Sequence, residues 1–277
     1  MTASHWAQLG LYLAILAVTA KPLGLYMAAV YEGRRTFAHP VIRPVERAVY
    51  RFAGVDESRE QDWKQYLVAL LAFNIVGFIA LYALLRMQGS LPLNPEDLPG
   101  VEPSLAFNTA ASFVTNTNWQ SYGGETTLSY LSQMLGLTFQ NFVSAAAGMA
   151  VLVALIRGLA RHSATTVGNF WVDLTRSTLY ILLPASLVLA VFLVSQGVIQ
   201  TFDSYRTVTG VEGVDQVIAL GPAASQVAIK QLGTNGGGFF NTNSAHPLEN
   251  PTAWSNWAQM LSILIIPAGL VYMYGKM

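Results

Sequence analysis

Apolar residues run along this chain in long blocks and do not alternate with polar ones, and each block is too long and too free of charge to be one face of a soluble helix. Stretches near 6–30, 66–87, 128–156, 178–199 and 254–274 hold about 20 residues each with almost no charge, enough to cross a hydrocarbon core of about 30 Å. The pattern predicts five membrane-spanning helices and an all-α membrane protein. The first block is too long for a secretory h-region and has no positive charge ahead of it, so it reads as a span and not as a signal peptide.

Two shorter runs lie between the spans. Pro103-Ser104 precedes LAFNTAASFVT, and Gly221-Pro222 precedes AASQVAIKQLG; such residues mark helix starts. A helix of about 11 residues rises about 16 Å, half the hydrocarbon thickness, so each run is expected to enter the membrane and turn back. Irregular backbone at that depth survives only where protein or a water-filled cavity surrounds it. The alternative is that both runs lie flat on the membrane surface, which would favour Lys or Arg repeated along a polar face; these carry Ser, Thr and Asn.

The same order of parts occurs twice: a span, a half-helix, a Thr-Asn pair, and a span opening with Gln-Met-Leu. The first copy has Thr115-Asn116 and Gln133-Met134-Leu135; the second has Thr234-Asn235 and Gln259-Met260-Leu261. This predicts an internal repeat, with an extra N-terminal helix and cytoplasmic loop over 1–62, a first repeat over 63–160 and a second over 161–277.

Composition supports the membrane assignment. The chain has 277 residues, 53% hydrophobic and only 11% charged, against about 25% charged in a soluble domain. Net charge is zero, which gives no support to nucleic-acid binding, and the placement of charge says more. Seven of the 15 Lys and Arg fall between Arg34 and Lys64, and Arg157, Arg161 and Arg176 separate the third and fourth spans. The positive-inside rule then places 31–65 and 157–177 in the cytoplasm and the N-terminus outside. There are no cysteines, which excludes disulfides and thiolate chemistry. His5, His39, His162 and His246 show no metal-ligand spacing.

The candidate chemistry lies in the loops after the half-helices, TNTNWQSYGG and GTNGGGFFNTNS. A half-helix ending in the membrane turns the negative end of its dipole toward the loop that follows, which favours a cation. A desolvated monovalent cation can be held by backbone carbonyls, and aiming successive carbonyls one way requires some residues at φ > 0. Gly adopts that conformation freely, and Asn tolerates it better than most. No Asp or Glu occurs in 103–124 or 216–248, whereas a divalent-cation pore would favour an acidic ring. A phosphate-binding P-loop is excluded, since its Gly-Lys must be followed by Ser or Thr and the only Gly-Lys is Gly275-Lys276, followed by Met277.

TNTNWQSYGGETTLSY (115–130) and LGTNGGGFFNTNSAHPLENPT (232–252), with LPLNPEDLPG (91–100) and WKQYL at Trp63, resemble the potassium-binding subunits of bacterial Kdp potassium-transporting P-type ATPases. The resemblance covers nearly the whole chain. It implies a fold related to potassium channels, with four repeats of helix, re-entrant pore loop and helix after an initial extra helix, of which this chain carries two. A family member would be about twice as long, so the chain is expected to be truncated in or just after the second helix of its second repeat.

By the same resemblance, Thr115, Asn116, Thr117 and Asn118 in one loop and Thr234, Asn235, Gly236, Gly237 and Gly238 in the other would form the potassium filter. Gln120 and Asn243 would stand at its outer mouth. For Asn118, Gln120 and Asn243, hydrogen bonding between loops is an equal alternative to ion contact. The implied role is a non-hydrolytic subunit of the bacterial inner membrane that binds potassium ion from the extracytoplasmic side. The implied partners are a P-type ATPase catalytic subunit, a single-span accessory subunit and a small membrane peptide. A passive potassium channel, a symporter subunit, or a structural subunit without an ion site are the rival readings.

Overall fold

The computed structural model describes residues 2–161 and 165–277. Among the described residues, five helices are long and apolar enough to cross a membrane, formed by Ala3–Tyr31, Trp63–Ser90, Ser132–Ala160, Phe170–Ser195 and Ala253–Lys276. In chain order the elements are α1 (Ala3–Tyr31), α2 (His39–Ala53), α3 (Trp63–Met87), α4 (Pro103–Val114), α5 (Gly124–Thr127), α6 (Phe139–Ala160), α7 (Phe170–Arg176), α8 (Leu183–Ser195), β1 (Arg206–Thr209), β2 (Asp215–Ile218), α9 (Ala223–Leu232) and α10 (Ala253–Lys276). The third and fourth spans each contain a π-helical turn, Ser132–Thr138 ahead of α6 and Ser177–Leu182 between α7 and α8.

The fourth span starts eight residues earlier than its apolar block. Its first turns carry Asp173 and Arg176, which hide it from a hydropathy window; Asp173 is buried against a cation. Two further elements were not expected. The Arg-rich connection after α1 contains the 15-residue helix α2, and the segment before α9 holds an antiparallel hairpin in which β1 pairs with β2, Arg206 opposite Ile218.

The chain divides into two compact units. One comprises residues 1–72, 145–185 and 259–277. In it α1 and α10 touch through glycines: a Cβ on Gly24 would lie 2.6 Å from the Gly269 carbonyl oxygen, an approach that small residues allow between membrane helices. Arg157, at the end of α6, makes a two-pronged ion pair with Asp173, at 2.6 and 2.9 Å, and Tyr66 donates to the same carboxylate at 3.1 Å. Both charges are buried, so each needs the other.

The second unit comprises residues 73–144 and 186–258 and contains both half-helices. One core cluster gathers Leu81, Leu85, Ala106, Ala110, Phe113 and Leu137, and another Tyr130, Ala223, Phe239 and Phe240. The small residues on α4 and α9 let these helices sit deep in the unit; on α9 all but Ser225 are buried.

Candidate functional site

Helix α4 begins at Pro103, with the Glu102 carboxylate accepting from the Leu105 amide at 3.0 Å. It ends after 12 residues, too few to span a bilayer. Its last carbonyls are taken from within the loop: the Ser112 oxygen accepts from the Thr117 and Asn118 amides at 2.9 and 3.1 Å. Thr115 folds its hydroxyl back on the Ala111 carbonyl at 2.9 Å. Helix α9 ends the same way after 10 residues, with the Asn235 amide donating to the Lys230 carbonyl at 3.0 Å.

Beyond these ends the two loops share a backbone pattern. Asn116 and Asn118 have φ of +58° and +54°, with Thr117 between them outside the positive-φ set; Thr234 and Gly236 have φ of +53° and +85°, with Asn235 likewise between them. The matching amide bonds of Thr117 and Asn235, each to the carbonyl five residues back, fix the same register. Structurally, therefore, Asn116 corresponds to Thr234 and Asn118 to Gly236. Pairing the two Thr-Asn dipeptides, as the sequence suggests, is off by one residue.

Gly237 continues at φ +66°. Gly238 differs in geometry: its φ is not positive, and a Cβ there would lie 2.6 Å from the Asn243 side-chain oxygen. Among the described residues, no donor reaches the carbonyls of Asn116, Thr117, Asn118, Thr234, Asn235 or Gly237. Unengaged backbone oxygens in successive residues are the kind of ligand that can replace the water shell of a cation.

The asparagine side chains brace these loops. Asn118 donates to the Asn141 side-chain oxygen at 2.6 Å and toward the Gly236 carbonyl at 3.4 Å. Asn235 donates to the Asn116 side-chain oxygen, to the Asn141 carbonyl at 3.2 Å and to Ser144 at 3.2 Å, and Ser144 donates to Asn116 at 2.8 Å. Thr115, Thr117, Thr234 and Gly236 are exposed, whereas Asn118 and Asn235 are buried. Each loop thus turns one edge outward and its amides inward. The buried Asn118 and Asn235 side-chain oxygens have no protein partner among the described residues.

At the far end of the loops, Gln120 and Gly238 bond in both directions, at 3.0 and 3.3 Å. Asn243 donates to the same Gln120 oxygen at 3.2 Å. A cleft of about 390 Å³ opens here, lined by Asn108, Trp119, Gln120, Ser121 and Asn243 among others. The side chains of Gln120 and Asn243 thus bond from loop to loop, and that of Asn118 bonds to Asn141 of α6 and toward the other loop.

Sequence reasoning missed the support behind the loops. Asn141 and Ser144 lie near the start of α6 at the spacing of one helical turn, which is the clue that could have found them. Gln133 bridges Gln226 of α9, at 2.9 Å, and the Phe239 carbonyl, at 3.1 Å. Lys230 and Glu249 form a buried ion pair at 2.5 Å, and Glu249 lies one residue past the acid-free window. Of the four histidines, His162 lies outside the described residues.

Five apolar spans and two half-helices, each ending in a loop of unengaged carbonyls, define a multi-pass membrane protein built on the pore-loop plan. The family model for the potassium-transporting ATPase A subunit matches residues 10–277, and the chain belongs to that family. Curated relatives agree, each named a potassium-transporting ATPase potassium-binding subunit. The one from Methylorubrum extorquens is 62% identical over 100% of this chain and 48% of its own length. That of Sorangium cellulosum is 63% identical over 100% of this chain and 49% of its own, and that of Pseudomonas entomophila 64% over 95% and 47%. The chain spans about half the length of the curated relatives it matches.

Proposed function

We propose that this chain supplies two of the loops of a potassium filter, in a subunit that takes potassium from the extracytoplasmic side for an ATP-driven uptake complex. The observation that carries the reading is the shared alternation of φ after two half-helix ends, which leaves carbonyls of Asn116, Thr117, Asn118, Thr234, Asn235 and Gly237 free. Carbonyl dipoles replace the hydration shell of a large monovalent ion at modest cost and have no formal charge to trap it. The hydroxyls of Thr115 and Thr117, paired at 2.9 Å, border the first loop; Gly238 admits the return of the second, and Gln120 and Asn243 latch the mouth.

In this reading 63–160 and 161–277 are two pore-loop repeats, and 1–62 is an added N-terminal segment. The charge distribution supports an extracytoplasmic N-terminus in the inner membrane. The names of the relatives support an ATPase partner; the catalytic subunit would hydrolyse ATP, joined by a single-span accessory subunit and a small membrane peptide.

The test is Gly236→Asp in the full-length subunit within its complex. An acid beside the carbonyls adds charge and bulk where φ is +85°, so potassium uptake at low external concentration should fall and discrimination against other monovalent ions weaken. Unchanged uptake and selectivity would overturn the assignment.

A further inference from the structure

We propose that α2 lies in the membrane–water interface, with one face in the lipid acyl region and its arginines at anionic headgroups. The argument begins with an inversion of the usual amphipathic order. Phe37, just ahead of the helix, is 85% exposed, and Val41, Val45 and Phe52 are 77%, 50% and 97% exposed. At 100° per residue, Val41, Val45 and Phe52 fall on one stripe. The opposite stripe, which packs on the protein, is polar: Glu46 and Tyr50 are buried there. A helix in water turns its polar face outward. Here the apolar face is the outer one.

Depth identifies what covers that face. The buried stripe is tied to the fourth span: Glu46 accepts from Arg176 at 3.0 Å and from Tyr180 at 2.8 Å. Tyr26 of α1 donates to the Tyr180 carbonyl at 2.8 Å and stacks on Phe37 with ring centres 5.1 Å apart. Arg176 and Tyr180 lie about 9 and 15 Å along the axis from the first residue of that span. The span has 26 residues, about 39 Å of helix against about 30 Å of hydrocarbon; with the excess shared between its ends, Arg176 falls within about one helical turn of the acyl boundary and Tyr180 about two turns inside it. The valine and phenylalanine stripe is then continuous with the lipid-facing surface of the spans.

Charge completes the fit. Arg47 and Arg51 occupy the third flank of the helix, and Arg34 and Arg35 precede it, all exposed. Arginines beside an apolar stripe suit an interface with anionic lipid.

The chain has no cysteine, so single sites can be labelled. Val45→Cys, Phe52→Cys and Arg47→Cys, each carrying a small fluorophore, would be placed in the complete complex in vesicles of phosphatidylethanolamine and phosphatidylglycerol, with the signal of the unsubstituted complex subtracted. Labels at 45 and 52 should be quenched at least twofold more by acyl-brominated lipid than by aqueous iodide, and the label at 47 more by iodide. Iodide quenching at 45 and 52 would overturn the proposal. So would quenching by neither agent, which would mean that another subunit covers the face.

Discussion

The ammonium of Lys230 lies 2.5 Å from a carboxylate oxygen of Glu249, and both side chains are buried. The pair closes the second loop. The Lys230 carbonyl holds the Asn235 amide, and the second Glu249 oxygen accepts from the Phe240 amide at 3.0 Å. Glu249→Gln keeps that shape and leaves a positive charge beside the proposed potassium ligands. A single uncompensated charge in a low-dielectric site should raise the potassium KM roughly tenfold. Lys230→Met combined with Glu249→Gln removes both charges and should restore most of the loss. A double variant no better than Glu249→Gln would limit the pair to holding the loop.

Thr234 has φ of +53°, a conformation that a β-branched residue adopts at a cost of about 1–3 kcal/mol. Thr234→Gly should therefore raise the unfolding free energy by about 1 kcal/mol while loosening the loop and lowering discrimination between potassium and rubidium. Thermal denaturation together with competitive uptake measures both.

Gly238 and Gly148 offer a matched comparison. A Cβ on Gly238 would lie 2.6 Å from the Asn243 side chain and 2.8 Å from its Cα, whereas one on Gly148 meets nothing within 4 Å. Gly238→Ala should destabilise by about 1–3 kcal/mol through overpacking and impair uptake, and Gly148→Ala should leave both near wild type. Chemical denaturation of the two variants in detergent checks the contrast.

Burial alone would raise the Glu46 pKa, but donors from Arg43, Tyr180, Arg176 and Tyr50 outweigh it and bring it down to about 2. The folded carboxyl thus binds its proton less tightly than the unfolded one, whose ordinary value is 4.5. The stabilisation is complete above that value and is lost as pH falls toward 2. Melting temperature measured across this window should fall in the wild type and change less in Glu46→Gln. The variant itself should start about 3 kcal/mol less stable, because Arg43 and Arg176 lose their shared partner.

The spans and half-helices were legible because membrane depth imposes their length and because Pro103 and Pro222 mark where the short helices start. The loop register was not, since it depends on the sign of φ and not on side-chain identity. Asn116 and Thr234 share a backbone conformation without sharing a letter, while the conspicuous Thr-Asn dipeptides are displaced by one. Helix α2 was hidden by its arginines, which raise the polarity of the segment as a whole. Glu249 was missed because its partner Lys230 is 19 residues away, well outside any helical or strand spacing.

The off-by-one correspondence between the loops has an evolutionary consequence. Two asparagines in one chain segment, a threonine and a glycine in the other, arrive at equivalent main-chain shapes, so the shape tolerates different letters. In a ring of identical subunits every substitution appears at all positions at once. Loops encoded separately along one polypeptide can each drift alone, which lets selection adjust the field around an ion in single steps.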